Sequence, residues 1–134
     1  CIEALTKALD HRDGEVRRYA AYALSQYGPK ARSAVPALTA RLNDEWMAYM
    51  AARALGEMGP SARNAIPDIA KLLVSSKPGD RAEAAAALSK LTPLSDDIVS
   101  AIAKLTTDEQ DFVRYAAGVA MEKLRASRPT IAVP

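Results

Sequence analysis

Arg18-Tyr-Ala-Ala-Tyr-Ala-Leu-Ser-Gln-Tyr-Gly-Pro-Lys-Ala-Arg-Ser-Ala-Val-Pro36 returns 31 residues later as Tyr49-Met-Ala-Ala-Arg-Ala-Leu-Gly-Glu-Met-Gly-Pro-Ser-Ala-Arg-Asn-Ala-Ile-Pro67. A shorter copy runs Ala84-Ala-Ala-Ala-Leu-Ser-Lys-Leu-Thr-Pro93, and a fourth runs Arg114-Tyr-Ala-Ala-Gly-Val-Ala120. Self-similarity at this period is the mark of a stacked array of supersecondary units, each too small to bury its own apolar face. Each unit reads as two antiparallel helices. The first helices are expected at Ile2–Leu9, Val35–Leu42, Ile66–Val74 and about Asp96–Leu105. The second, longer ones are expected at Glu15–Tyr27, Glu45–Met58, Arg81–Leu91 and Gln110–Leu124.

Two alanine columns align the second helices: Ala20, Ala51, Ala84 and Ala116, beside Ala21, Ala52, Ala85 and Ala117. Small residues there let neighbouring helices approach closely. Leu5, Leu38, Ile69 and Ala101, with Leu9, Leu42, Leu73 and Leu105, form the matching columns of the first helices. Gly28 and Gly59 fall where a positive φ closes a helix, and Pro29, Pro60 and Pro93 then prevent its continuation. Pro36 and Pro67 stand in first turns, where a missing N–H costs nothing. Asp13, Asn43 or Asp44, Asp80, Ser95, and Thr107 or Asp108 are candidate N-caps. Thr92 replaces glycine in the third unit, so its exit turn should differ.

Hydrophobic residues make up 49% of the chain but aromatics only 5%, which suits packed helices better than an aromatic-rich β core. The net charge of +2 is a weak footprint for nucleic acid. One cysteine, Cys1, excludes an internal disulfide framework and a cysteine-based zinc site. No apolar run approaches the ~20 residues that span a bilayer. The chain starts inside a helical pattern without a leading Met, which fits excision from a longer protein.

Val16-Arg17-Arg18-Tyr-Ala-Ala-Tyr-Ala-Leu24, the Gly28-Pro29-x-Ala31-x-x-Ala34-Val35-Pro36 run and their copies resemble HEAT repeats, in the short-repeat branch related to the phycobilisome lyase-type HEAT proteins. The resemblance covers about residues 2 to 125. It implies an all-α, right-handed α-solenoid of about four HEAT-like hairpins, an armadillo-type superhelix. The expected domain is 1–126, with repeats at about 1–28, 29–59, 60–92 and 93–125, and 127–134 as a tail or linker. Met47-Ala48 and Arg81-Ala82 stand where repeats two and three would carry the family's Val-Arg pair.

Nothing in the sequence assembles an active site. The single histidine, His11, sits in a turn with Asp10 and Asp13 as its only close acidic neighbours. One histidine makes no nucleophile–base pair, and no phosphate-binding glycine loop follows a strand. His-Glu pairs, which some HEAT enzymes use to hold iron, are absent from the sequence. Asp96/Asp97 and Asp108/Glu109 stand where helix N-termini favour acidic residues. No catalytic residue, metal or cofactor is therefore assigned.

On a wheel of about 100° per residue, Glu15, Arg18, Tyr22 and Ser25 fall opposite the apolar side of their helix. Trp46, Tyr49, Arg53 and Gly56 are the matching set in the second repeat. In HEAT arrays the second helices line the concave surface, so the resemblance implies that Arg18, Tyr22, Trp46, Tyr49 and Arg53 lie side by side there. Trp, Tyr and Arg are enriched in interface hot spots. The structural alternative is that Trp46 merely covers the adjacent turn and that the tyrosines bury their rings. In repeat three the equivalents, Ala82, Ala86 and Ser89, are small, and Arg114 and Gly118 add little in repeat four. The expected function is noncatalytic binding of a protein or peptide by the concave face, in one domain of a larger protein. The alternatives are a structural spacer or accessory attached to an enzyme, nucleic-acid binding, which the mixed Arg and Glu content of these helices argues against, and a bilin-lyase-like role.

Overall fold

The computed structural model describes residues 1–127. They form eight α-helices and no strand. The helices are α1 Ile2–Ala8, α2 Gly14–Tyr27, α3 Val35–Ala40, α4 Ala48–Glu57, α5 Ile66–Ala70, α6 Pro78–Leu88, α7 Asp96–Lys104 and α8 Asp111–Ala126. Each short helix packs on the longer one that follows it. The long helices α2, α4, α6 and α8 also lie side by side in chain order. The result is a helical solenoid with one continuous core. Leu9, Leu24, Leu38, Leu55, Ile69, Leu88 and Ile102 are fully buried in it. The expected tail lies outside the described residues, apart from Ser127.

The punctuation follows the chemistry of its residues. Gly28 and Gly59 take φ of 58° and 66°, a region costly for any side chain with a Cβ. Each opens a 3₁₀ run, Gly28–Ala34 and Gly59–Ala65, which leads into the next short helix. The third junction has no such run, in keeping with Thr92, and its Thr92–Pro93 peptide is cis. There Arg63 of the preceding junction donates to the carbonyls of Leu91 and Pro93. Asp13 caps α2 by accepting from Glu15 N, and Ser95 caps α7 by accepting from Ile98 N.

Two helix starts differ from expectation. Helix α4 begins at Ala48, not Glu45, because the Asp44 carboxylate holds Trp46 N in a turn and its carbonyl takes Met47 N and Ala48 N. Helix α6 begins at Pro78, whose fixed φ suits a first turn. Asp80 is therefore not the cap of α6. It is buried inside the first turn, accepting from Ser75 Oγ.

Two of the ion pairs that tie successive units share one geometry. Arg17 Nε donates to Asp44 Oδ2 at 2.7 Å, and Arg81 Nε to Asp108 Oδ2 at 2.8 Å. In both, Nη1 reaches the carbonyl six residues back, His11 or Ser75. Arg81 thus occupies the place of Arg17, one residue earlier than the Arg81-Ala82 match implied, and repeat three keeps the arginine. Repeat two has Ala48 instead. Its junction to repeat three relies on Arg53 with Glu83, Lys90 with Glu57, and Lys77 Nζ on the Glu45 carbonyl.

Candidate partner-binding face

Helix α8 sets the register of this face. Its buried residues are Val113, Ala117, Ala120 and Leu124, while Ala116 is only half-buried. Arg114 Nη1 also donates to the carbonyl six residues back, Asp108, as Arg17 and Arg81 do. Ala117, rather than Ala116, therefore continues the column of Ala20, Ala51 and Ala84. The identical Arg-Tyr-Ala-Ala strings of α2 and α8 are offset by one position in space.

With that register, three rows cross the long helices. Five residues before the column alanine stand Glu15, Gly79 and Phe112 on their helices, and Trp46 in the turn before α4. Two before stand Arg18, Tyr49, Ala82 and Tyr115, and two after stand Tyr22, Arg53, Ala86 and Val119. The small residues of α6 make a low strip between the aromatic side chains of α4 and α8. Phe112 and Tyr115 were missed in the sequence, although the apolar spacing of Val113, Ala117, Ala120 and Leu124 was a readable signal for the shift.

The five expected residues occupy different environments. Tyr22 is exposed on α2. Trp46 is 66% exposed, yet its ring lies over Gly14, where an added Cβ would meet Cγ at 3.1 Å. It covers the turn and offers its outer face to solvent. Tyr49 is half-buried against the core and interacts with both arginines. The Glu15 carboxylate, then Tyr49, hold the Arg18 guanidinium above its ordinary pKa. The hydrogen bond to Glu83 does the same for Arg53. Gly56 does not belong to this face. It is buried on the flank of α4 that meets α6, with no room for a Cβ beside Ala87.

The cations near the face are neutralised within the fold: Arg18 by Glu15, Arg53 by Glu83, Lys90 by Glu57 and Arg114 by Asp111. What remains unengaged is aromatic surface, with Phe112 51% and Tyr115 76% exposed. Trp46 is the sole tryptophan of the chain, so its emission reports on this face alone. Emission close to that of hydrated indole, with ready acrylamide quenching, is expected. A bound partner should shift the emission to the blue and protect the ring, and an unchanged spectrum on binding would remove Trp46 from the contact.

His11 Nδ1 accepts from Asp13 N at 3.0 Å within its turn. Among the described residues, no group of three His, Cys, Asp or Glu side chains is placed to hold a metal ion. No described helix is long and apolar enough to cross a membrane.

The family model for HEAT repeats matches residues 36–122, and that for the PBS lyase HEAT-like repeat matches 16–44. No match is found among curated proteins. Among solved structures, an engineered protein superposes with a TM-score of 0.75 at 26% identity, over 92% of this chain and 62% of its own. A designed armadillo repeat protein in complex with the peptide (KR)4 gives 0.73 at 19% identity, over 92% of this chain and 64% of its own. This chain thus spans less than two thirds of either protein. The complex of CpcE and CpcF of phycocyanin lyase from Nostoc sp. PCC7120 gives 0.69 at 23% identity, over 99% of this chain and 82% of that one.

Proposed function

The chain belongs to the HEAT-repeat family, and from that premise we propose that the exposed face of α2, α4 and α8 is a noncatalytic docking surface for a protein or peptide. The observation that carries this reading is the pairing of charge with exposure. Every arginine on the face has a carboxylate partner, while Tyr22, Trp46, Phe112 and Tyr115 leave large apolar areas to solvent. Aromatic anchors on rigid helices lose little entropy on binding. The designed armadillo protein holds a basic peptide on the same architecture. Here Glu15, Glu83 and Asp111 are already engaged by arginines and Glu57 by Lys90, so the surface favours an apolar or aromatic segment over a polycation. Binding should change little with salt, whereas a nucleic-acid partner would be lost steeply as salt rises.

The test is capture from source-cell lysate by the wild-type chain against a Tyr22→Ala, Phe112→Ala, Tyr115→Ala variant, with circular dichroism to confirm helicity. These three side chains are exposed and make none of the fold's inter-repeat ion pairs, so truncation should leave the array intact. Arg18, Trp46, Tyr49 and Arg53 serve as a second set, since they combine exposure with contacts inside the fold. A partner held by wild type and lost at least about tenfold by the first variant supports the reading. Equal retention transfers the function to another surface. The second reading, an accessory unit beside an enzyme subunit, has the phycocyanin lyase complex as its precedent. It expects no ligand that depends on these aromatic residues.

A further inference from the structure

At two junctions of the array an arginine of one unit reaches across to the next. Arg17 and Arg81 stand three residues before the column alanine. Each gives Nη1 to the carbonyl six residues back and Nε to an aspartate of the following unit. At the junction of repeats two and three, Ala48 stands in the place of the arginine and Leu42 in that of the carbonyl residue. Ser75 stands in the place of the aspartate. Its Oγ accepts from Lys77 N at 3.1 Å, as Asp44 Oδ1 accepts from Trp46 N and Asp108 Oδ1 from Gln110 N. An open crevice of about 220 Å³ lies at this junction, and Leu42, Ala48 and Ser75 all line it.

The crevice also carries an uncompensated charge. Asp80 lines it and is only 7% exposed, and its Oδ2 accepts from Ser75 Oγ at 3.0 Å. Among the described residues, Oδ1 has no donor and no lysine or arginine forms an ion pair with Asp80. Asp44 lines the same crevice but is already engaged by Arg17 and Arg41. Lys77 Nζ is held on the Glu45 carbonyl at 2.6 Å. A carboxylate this buried without a counter-charge is costly, and a cation entering the crevice removes that cost. The described residues supply no group of three acidic, histidine or cysteine side chains for a metal ion. A guanidinium suits the site better, because its planar fork serves a carbonyl and a carboxylate at once.

We propose that this crevice receives an arginine side chain from a partner protein, whose guanidinium takes the place that Arg17 and Arg81 fill at the sister junctions. It donates to the Leu42 carbonyl on one side and to Asp80 Oδ1 on the other. The crevice lies among the loops that lead into α4 and α6, so both its walls belong to the interior repeats of the array. The site does not depend on the aromatic residues of the long-helix face.

Amide chemical-shift mapping of the full chain, titrated with the blocked peptide acetyl-Gly-Arg-Gly-amide, tests this. Saturable shifts should cluster at residues 42–48 and 75–80. The matching citrulline peptide, of the same shape without the charge, should bind at least about tenfold more weakly, and Asp80→Asn should weaken the arginine peptide by a similar factor. Asp80 also lies in the first turn of α6, so Ala48→Arg provides a variant that leaves every carboxylate in place. It supplies the guanidinium from within the chain. It should melt no lower than wild type and should no longer respond to the peptide. Shifts that are absent or spread evenly, equal binding of the citrulline peptide, or Asp80→Asn binding like wild type would overturn the proposal. So would an Ala48→Arg chain that melts well below wild type. Tighter binding of free arginine than of the blocked peptide would overturn the assignment to a partner's side chain.

Discussion

Gly56→Val is expected to destabilise the array by about 3 kcal/mol or more, at the top of the range for overpacked cores. An ideal Cβ at Gly56 would lie 2.9 Å from Ala87 Cα, 3.0 Å from Ala87 Cβ and 3.3 Å from the Ala87 carbonyl oxygen. Two of these atoms are backbone of α6, so no rotamer change relieves the clash and the whole helix has to move. That movement would also strain the Arg53–Glu83 and Lys90–Glu57 pairs, which hold the one junction without an arginine–aspartate pair. Alanine at 56 gains about 1 kcal/mol of helix propensity over glycine and should therefore cost less than valine. Gly118→Ala is the control. It sits in α8 with nothing within 4 Å of an added Cβ, so it should gain stability by about 1 kcal/mol. Urea unfolding followed by circular dichroism measures all three. Wild-type stability in Gly56→Val would contradict the close approach of α4 and α6.

Arg17→Ala should cost about 3 kcal/mol, because it strips a nearly buried carboxylate of its main partner. The Arg17 and Asp44 side chains retain 13% and 7% of their exposure. The remaining contacts of Asp44, Trp46 N and the more distant Arg41, do not replace a bond of 2.7 Å. The pH dependence follows in sign. Burial pushes the Asp44 carboxyl up, but the hydrogen bonds from Arg17 and Trp46 N outweigh it, leaving the pKa below its ordinary value. Asp108 is lowered by its bond from Arg81 and then by that from Gln110 N. A carboxylate with a depressed folded-state pKa contributes stability that is fully present above its unfolded value of about 3.9. That stability is lost as pH falls through the folded pKa. The melting temperature should hold between neutral pH and about pH 5 and drop below about pH 4. In Arg17→Ala the acid-limb slope should be shallower. A wild-type curve flat through the acid range would show that these pairs do not contribute.

The repeat architecture was legible because its signals are backbone requirements. Gly28 and Gly59 take positive φ, and Ala20, Ala51 and Ala84 stand where helices touch. Such constraints recur as identities in a string. The register within repeats three and four was harder to read. The string Arg-Tyr-Ala-Ala is identical in α2 and α8, yet burial of Val113, Ala117, Ala120 and Leu124 rotates α8 by one residue. Apolar periodicity, rather than letter identity, decides which way a helix faces. Gly56 misled for a related reason. A wheel shows the angle of a residue about its own axis but not the neighbour on that flank. Of the expected face, Arg18 and Tyr22 stand on α2, Tyr49 and Arg53 on the adjacent α4, and Trp46 in the turn before α4. That face left out Phe112 and Tyr115, whose place depends on the rotation of α8.

The most direct test of the docking face is site-specific photo-crosslinking in source-cell lysate. A benzophenone amino acid would replace Tyr22 or Tyr115 on the long helices, and Lys7 or Lys104 on the short ones. Docking through the long-helix face predicts a discrete protein adduct from positions 22 and 115 and none from 7 and 104. Adducts confined to the short helices, or equal from both sets, would contradict it.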